Sequence, residues 1–245
     1  MKRRNVLAGL GALLTAGCSK IGDSKAFESL VDGAEKLHRG AHRLLGGRQP
    51  MAREFSLSDI SPDFRGNGNT EIDSDAYRAH ATAGFADWRL NVRGLVERPL
   101  SLTMEQIRAL PQRTQITRHD CVEGWSAIGQ WTGPQLGGIL RTAGLKPEAK
   151  YIVFRCADDF SGVPYYESCD MDDAMHPQTI IAHQLNGEPL PVKNGAPLRL
   201  RIERQLGYKH AKYLTAIEAV ASLEGIGQGG GGYWEDLGYQ WYAGV

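Results

Sequence analysis

The run Ile180-Ile181-Ala182-His183-Gln184-Leu185-Asn186-Gly187 and the run Leu198-Arg199-Leu200-Arg201-Ile202-Glu203 fix the class of fold. The first is an apolar segment ending in Asn-Gly, a pair favoured in two-residue hairpin turns because both positions need positive φ. The second alternates apolar and charged residues with the period of 2 that puts one face of a strand on a core. The spacing therefore predicts antiparallel pairing, with a basic outer face on the later strand.

Working outward, residues 193–212 carry Lys193, Arg199, Arg201, Arg204, Lys209 and Lys212 against Glu203 alone, a local charge of +5 in a chain whose formal net charge is zero. The overall balance gives no support to nucleic-acid binding. The local excess suggests an anion site, although solvated strand faces are commonly charged in the same way. Glycines at 195 and 207 let backbone approach a ligand, Arg199 offers a planar fork for phosphate oxygens, and Lys209 and Lys212 add point charges. Such a set suits a phosphorylated small molecule.

Upstream, Trp88, Leu90 and Val92 alternate with Arg89, Asn91 and Arg93, another half-buried strand. Thr103 with Gln106 predicts a capping box for a short helix that Pro111 ends. Gly133-Pro134 is expected to open a second helix, closed by Gly144. Tyr151 to Cys156 has strand character. No βαβ alternation and no GxGxxG occurs, so a dinucleotide-binding fold is excluded. The expected class is α+β with a mixed, largely antiparallel sheet and short helices. A helix is expected near 26–45 within a weakly periodic stretch, residues 19–84. The folded domain is expected over 85–224, and a Gly- and aromatic-rich tail follows at 225–245. Those aromatics would anchor the terminus or wall a pocket.

The cysteines are Cys18, Cys121, Cys156 and Cys169, with no CxxC and no structural-zinc spacing. Cys156 and Cys169 could pair in an oxidising compartment. Cys121 stands in Arg118-His119-Asp120-Cys121-Val122-Glu123-Gly124-Trp125-Ser126. A lone cysteine is commonly a small buried hydrophobe, and His119 two residues away gives a thiol nucleophile no third partner.

Taken together, Gly94 to Leu100, Cys121 to Ser126, Trp131-Thr132-Gly133 and the two basic motifs resemble the sulfite oxidase superfamily of molybdopterin enzymes over roughly residues 85–220. The likeness is greatest to its periplasmic branch, which includes the catalytic subunit of protein-methionine-sulfoxide reductase. It implies a sulfite-oxidase-type fold and a mononuclear molybdenum with one pterin dithiolene. It also implies that Cys121 is metal ligand and catalytic centre, a soft thiolate that must be deprotonated to bind. Asn194 and Arg199 match pterin-contacting positions, and His210, Ala211 and Lys212 match the segment at its phosphate end. Cys156 falls where the branch has a pterin-contacting threonine. Asn67 and Asn69 are the asparagines on offer for a further contact ahead of the first strand.

Sulfite-oxidising members have arginines just after the cysteine, where this chain has Val122, Glu123 and Gly124. They also append an immunoglobulin-like domain for which no residues remain after the basic motifs. The resemblance thus implies two-electron oxygen-atom transfer from S-oxides or N-oxides. Electrons would come from a membrane subunit carrying b-type haem, since the chain has no CxxCH. The alternatives are sulfite oxidation and a non-catalytic periplasmic pterin-binding or assembly protein. Residues 1–18 are expected to be an export signal of twin-arginine type: Lys2-Arg3-Arg4, a mildly apolar run from Val6 to Ala16, then Gly17-Cys18. Leu14 to Cys18 also resembles a lipoprotein cleavage box, which would anchor the mature chain through Cys18 in the periplasm.

Overall fold

The computed structural model describes residues 24–47 and 50–245, so the expected export signal lies outside the described residues. The chain divides into two compact units at residues 47/48. In the first, Ser24 accepts from the Phe27 amide and caps helix α1, Lys25–Leu45, close to the span expected from sequence.

The second unit holds the remaining elements. A five-stranded sheet runs β2-β1-β11-β5-β6. Its strands are β1 Arg89–Gly94, β2 Leu100–Thr103, β5 Tyr151–Phe160, β6 Val163–Asp170 and β11 Leu214–Val220. Only the β1–β11 pair is parallel. A four-stranded antiparallel sheet joins β3 (Gln112–Asp120), β4 (Ser126–Pro134), β8 (Gln184–Leu185) and β9 (Glu188–Pro189). Strands β7 (Ile180–Ala182) and β10 (Arg199–Arg201) form an antiparallel pair of their own. This is the mixed, mostly antiparallel α+β class expected from sequence. The Asn186-Gly187 turn closes β8 on β9, with both residues at positive φ.

Short helices fill the gaps: α2 Asp75–Thr82, α3 Met104–Ala109, α4 Leu136–Ala143 and α5 Met171–Ala174. Thr103 and Gln106 form the expected capping box of α3, and Gly144 ends α4 in the left-handed region. One expectation fails. Gly133 and Pro134 do not open a helix but end β4, paired with Arg113 and Gln112. Gly133 is needed because β7 crosses there, so closely that a Cβ would lie 2.0 Å from the Ile181 carbonyl oxygen.

The main core packs Leu90, Val92, Ile107, Leu140, Phe154 and Ile217, and a second cluster gathers Phe64, Trp131, Ile180 and Leu185. Strand β10 departs from the reading of a solvated basic face. Arg199 and Arg201 are both 0% exposed, so each side of the strand is covered. A period-2 pattern shows that two faces differ, not that one is wet.

Candidate functional site

Cys121 is the first residue of the β3–β4 hairpin loop. Its amide donates to the Trp125 carbonyl at 2.9 Å, and the Gly124 amide donates back to the Cys121 carbonyl at 3.0 Å. Gly124 has φ +85, which makes the tight turn available. Cys121 as a whole is 8% exposed. Burial raises its pKa, the Glu123 backbone N–H lowers it, the Glu123 carboxylate raises it, and Arg199 and Arg65 lower it.

Cys121 opens on a cavity of about 620 Å³ counted with its mouth. Glu123, Asn67, Asp158 and Lys212 share the wall, and Phe160, Trp234 and Tyr239 form an aromatic side. The Gly- and aromatic-rich tail therefore does both things expected of it. It lends Trp234 and Tyr239 to the cavity, while Trp241 Nε1 donates to Ser168 Oγ at 2.8 Å and fastens the chain end. The Glu123 carboxylate accepts from Trp125 Nε1 at 2.8 Å, which holds it beside the cysteine.

Of the cations in the basic motifs, Lys212 reaches the cavity wall, whereas Arg199 is buried outside its lining. Lys212 is 5% exposed and its Nζ donates to the carbonyls of Asn67 at 2.7 Å, Lys193 at 3.3 Å, and Asn69. Arg199 donates to the Asn194 carbonyl at 3.2 Å and to Asn67 Oδ1 at 3.0 Å, with Trp131 against its guanidinium. Asn67 thus ties both cations to the loop ahead of α2. That loop offered sequence reasoning two asparagines and no periodicity to choose between them.

The other expected site residues divide. His210 lines the cavity, but its Nε2 bonds the Gln205 carbonyl at 3.0 Å and its Nδ1 accepts from the Ile202 amide at 3.5 Å. Asn194 is fully buried one layer behind, its Nδ2 on the Arg65 carbonyl at 3.3 Å and its Oδ1 without a partner. Ala211 is also buried, and its carbonyl accepts from the Leu200 amide at 2.8 Å. Cys156 sits on β5 opposite Leu214, its thiol pushed well up by burial and then by Asp158. Both Cys156 and Cys169 are free thiols. Cys169 pairs with Ile152, four residues along β5 from Cys156, roughly 13 Å at strand spacing and beyond disulfide reach.

Lys209 does not serve the anion site, because it is buried in an ion pair with Glu167 at 2.6 Å and with Glu235. His119 is no partner for the Cys121 thiol either. Its Nδ1 accepts from Arg201 at 2.9 Å, and Arg201 in turn is clamped by Glu203. That leaves the proton on Nε2, which is buried without an acceptor and packed against Gly207, where a Cβ would lie 2.6 Å away.

These features fit an anionic pterin cofactor. Among the described residues neither Arg199 nor Lys212 has a carboxylate partner within ion-pair distance. Burial, and then Arg201, pushes Arg199 down to about 9, while burial, and then Arg199, pushes Lys212 down to about 7. Two uncompensated buried cations are costly unless an anion joins them. Arg199 Nε and His119 Nε2 are unused donors pointing to the same need.

The family profile described as Oxidoreductase molybdopterin binding domain matches residues 78–224. The chain belongs to this family. A putative protein-methionine-sulfoxide reductase subunit YedZ1 from Azospira oryzae is 39% identical over 244 residues, covering 100% of this chain and 86% of that protein. The catalytic subunit MsrP of protein-methionine-sulfoxide reductase from Xanthomonas axonopodis pv. citri is 36% identical over 161 residues. That match covers 61% of this chain and half of MsrP. Among solved structures, the sulfane dehydrogenase SoxCD from Paracoccus pantotrophus superposes with a TM-score of 0.51 at 26% identity, over 56% of this chain and 39% of that one. The family membership establishes a molybdenum-dependent oxidoreductase with a molybdopterin cofactor on a sulfite-oxidase-type fold.

Proposed function

We propose that Cys121 binds molybdenum through its thiolate and that the enzyme reduces neutral S-oxides or N-oxides in the periplasm. The supporting observation is the wall beside the cysteine. Glu123 is fixed there by Trp125, and aromatic rings face it, so the approach suits a neutral, partly apolar substrate and repels sulfite. The names carried by the reductase relatives point the same way.

When bound, the cofactor supplies a two-electron centre able to take an oxygen atom. This chain's residues hold and shape. Lys212 and Arg199 bind the anionic end, with Asn67 setting their positions. The hairpin bonds of Cys121 aim its sulfur at the cavity, and Phe160, Trp234 and Tyr239 shed water from the apolar side. The balance is one sulfoxide, two electrons and two protons giving one sulfide and one water. The electrons would come from a membrane subunit with b-type haem.

The test is turnover of the loaded enzyme with reduced viologen as donor. Methionine sulfoxide, dimethyl sulfoxide and trimethylamine N-oxide should each oxidise the dye, and sulfite should reduce no acceptor at neutral pH. Fast sulfite oxidation with no S-oxide or N-oxide turnover would reverse the assignment.

A further inference from the structure

The cavity wall holds a second carboxyl group besides Glu123. Asp158 is 4% exposed and lines the cavity with Cys121 and Lys212. Its Oδ2 accepts from Asn69 Nδ2 at 3.2 Å, and its Oδ1 is buried with no partner. The strand that carries it is irregular here. The β5–β6 register jumps from Arg155↔Tyr166 to Asp159↔Pro164, so β5 spends two extra residues at this point, and Asp158 stays on the inward side with Ile152, Phe154 and Cys156. Asp158 turns in and Asp159 turns out to solvent. A buried acceptor left open is unfavourable for folding alone, and strand irregularities recur beside functional sites.

The charges around Asp158 are specific. Lys212 attracts its carboxylate and Asp159 repels it, while the Cys156 thiol and the phenols of Tyr77, Tyr165 and Tyr213 face it. Lys212 nevertheless spends its donors on carbonyls rather than on Asp158. A phosphate monoester carries about −1.5 to −2 at neutral pH. Seated against Lys212 with Arg199 buried nearby, it balances those two cations, and an ionised Asp158 would leave one buried negative charge too many. A neutral carboxyl group removes that excess and puts an O–H where the open Oδ1 lies.

We propose that Asp158 is a cofactor-binding residue that holds the anionic end of molybdopterin as a carboxylic acid, so that loading takes up one proton. This rests on the reading of the cavity as the molybdopterin site. The proton comes from solvent and returns to it on release, with no electrons moved. Burial, helped by Asp159 and opposed by Asn69 and Lys212, already lifts the carboxyl to about 6, and an added anion raises it further.

Asp158→Asn keeps the shape, the contact to Asn69 and a donor, but it cannot ionise. Purified from a molybdenum-supplied host, it should retain the wild-type pterin content, assayed by fluorescence after denaturation. Asp158→Ala should retain about tenfold less tightly, since it loses a charge-assisted hydrogen bond. Infrared difference spectra of loaded wild type minus loaded Asp158→Asn at pH 7 should contain a carboxylic-acid C=O band. Between pH 7 and 9, where the phosphate is already dianionic, pterin release from the wild type should accelerate by up to about tenfold per pH unit more than from Asp158→Asn. Lys212 titrates in both proteins, so the difference between them reports the carboxyl group together with its pull on Lys212. Loss of pterin from Asp158→Asn, or a carboxylate band in place of the acid band, overturns the inference while leaving the site assignment intact. A wild-type protein without pterin overturns both.

Discussion

Lys212→Met should stabilise the cofactor-free protein at pH 7 and destabilise it at pH 10. Lys212 is 5% exposed, and its pKa falls from 10.5 to about 7, burial first and Arg199 second. At about 1.4 kcal/mol per pH unit, that fall corresponds to roughly 5 kcal/mol of cost for the buried cation. Methionine removes this cost but leaves the carbonyls of Asn67, Asn69 and Lys193 without their donor, at about 1 kcal/mol each, so about 2 kcal/mol of gain remains.

The sign with pH follows from a base whose folded pKa is depressed. The cost is fully present below about 7, shrinks as pH rises, and is gone above the unfolded value of 10.5. At pH 10 the neutral amine still offers two N–H donors to these carbonyls, and the wild type should be the more stable protein. Thermal melts of metal-free material at pH 7, 8, 9 and 10 read this directly. The expected gap is about 4–8 °C in favour of Lys212→Met at pH 7, closing and then reversing. A variant less stable than wild type at pH 7, or a gap that does not change with pH, would refute the view of Lys212 as a cation awaiting its anion.

Three further outcomes are expected. Arg199→Met should lower pterin content in protein purified after expression with molybdate, through loss of the guanidinium that Asn67 positions; full occupancy measured after denaturation would place the anion elsewhere. Gly207→Ala should destabilise the fold by about 1–3 kcal/mol in urea melts, since its Cβ would lie 2.6 Å from His119 Nε2 and 3.3 Å from the Asp120 carbonyl oxygen; an unchanged midpoint would mean that this contact yields freely. Arg3→Lys with Arg4→Lys should leave folded, cofactor-loaded protein in the cytoplasm, and undiminished periplasmic protein would reject the twin-arginine route.

The chemistry of this chain was more legible in its sequence than the geometry that supports it. Cys121, His210 and Lys212 stand in recognisable motifs, and they fall on one cavity. Burial of Arg199 was not legible, because Leu198, Leu200 and Ile202 alternate with arginines in the same way whether the second face is solvent or protein. Here Trp131, His119 and Glu203 cover that face, contributed by β3, β4 and the turn after β10. Lys209 carried the same local signal as Lys212, yet long-range partners, Glu167 and Glu235, claim it. Asn67 comes from a loop with no period to mark it, and the period of β5 puts Asp158 inward without telling that a cavity lies there. Pattern reasoning sees the period of a strand but not what lies against either of its faces.

The metal ligand is tested most directly by Cys121→Ser, with molybdenum content, pterin content and the X-ray absorption spectrum measured on one folded sample. Serine is nearly isosteric, so the stability change should be on the order of 1 kcal/mol. Its hydroxyl is a harder and far less acidic donor than a thiol. Pterin should remain at a substantial level on Arg199 and Lys212, while turnover is abolished and the spectrum loses one sulfur scatterer at the molybdenum. An unchanged spectrum with wild-type turnover in the serine variant would show that Cys121 is not the ligand.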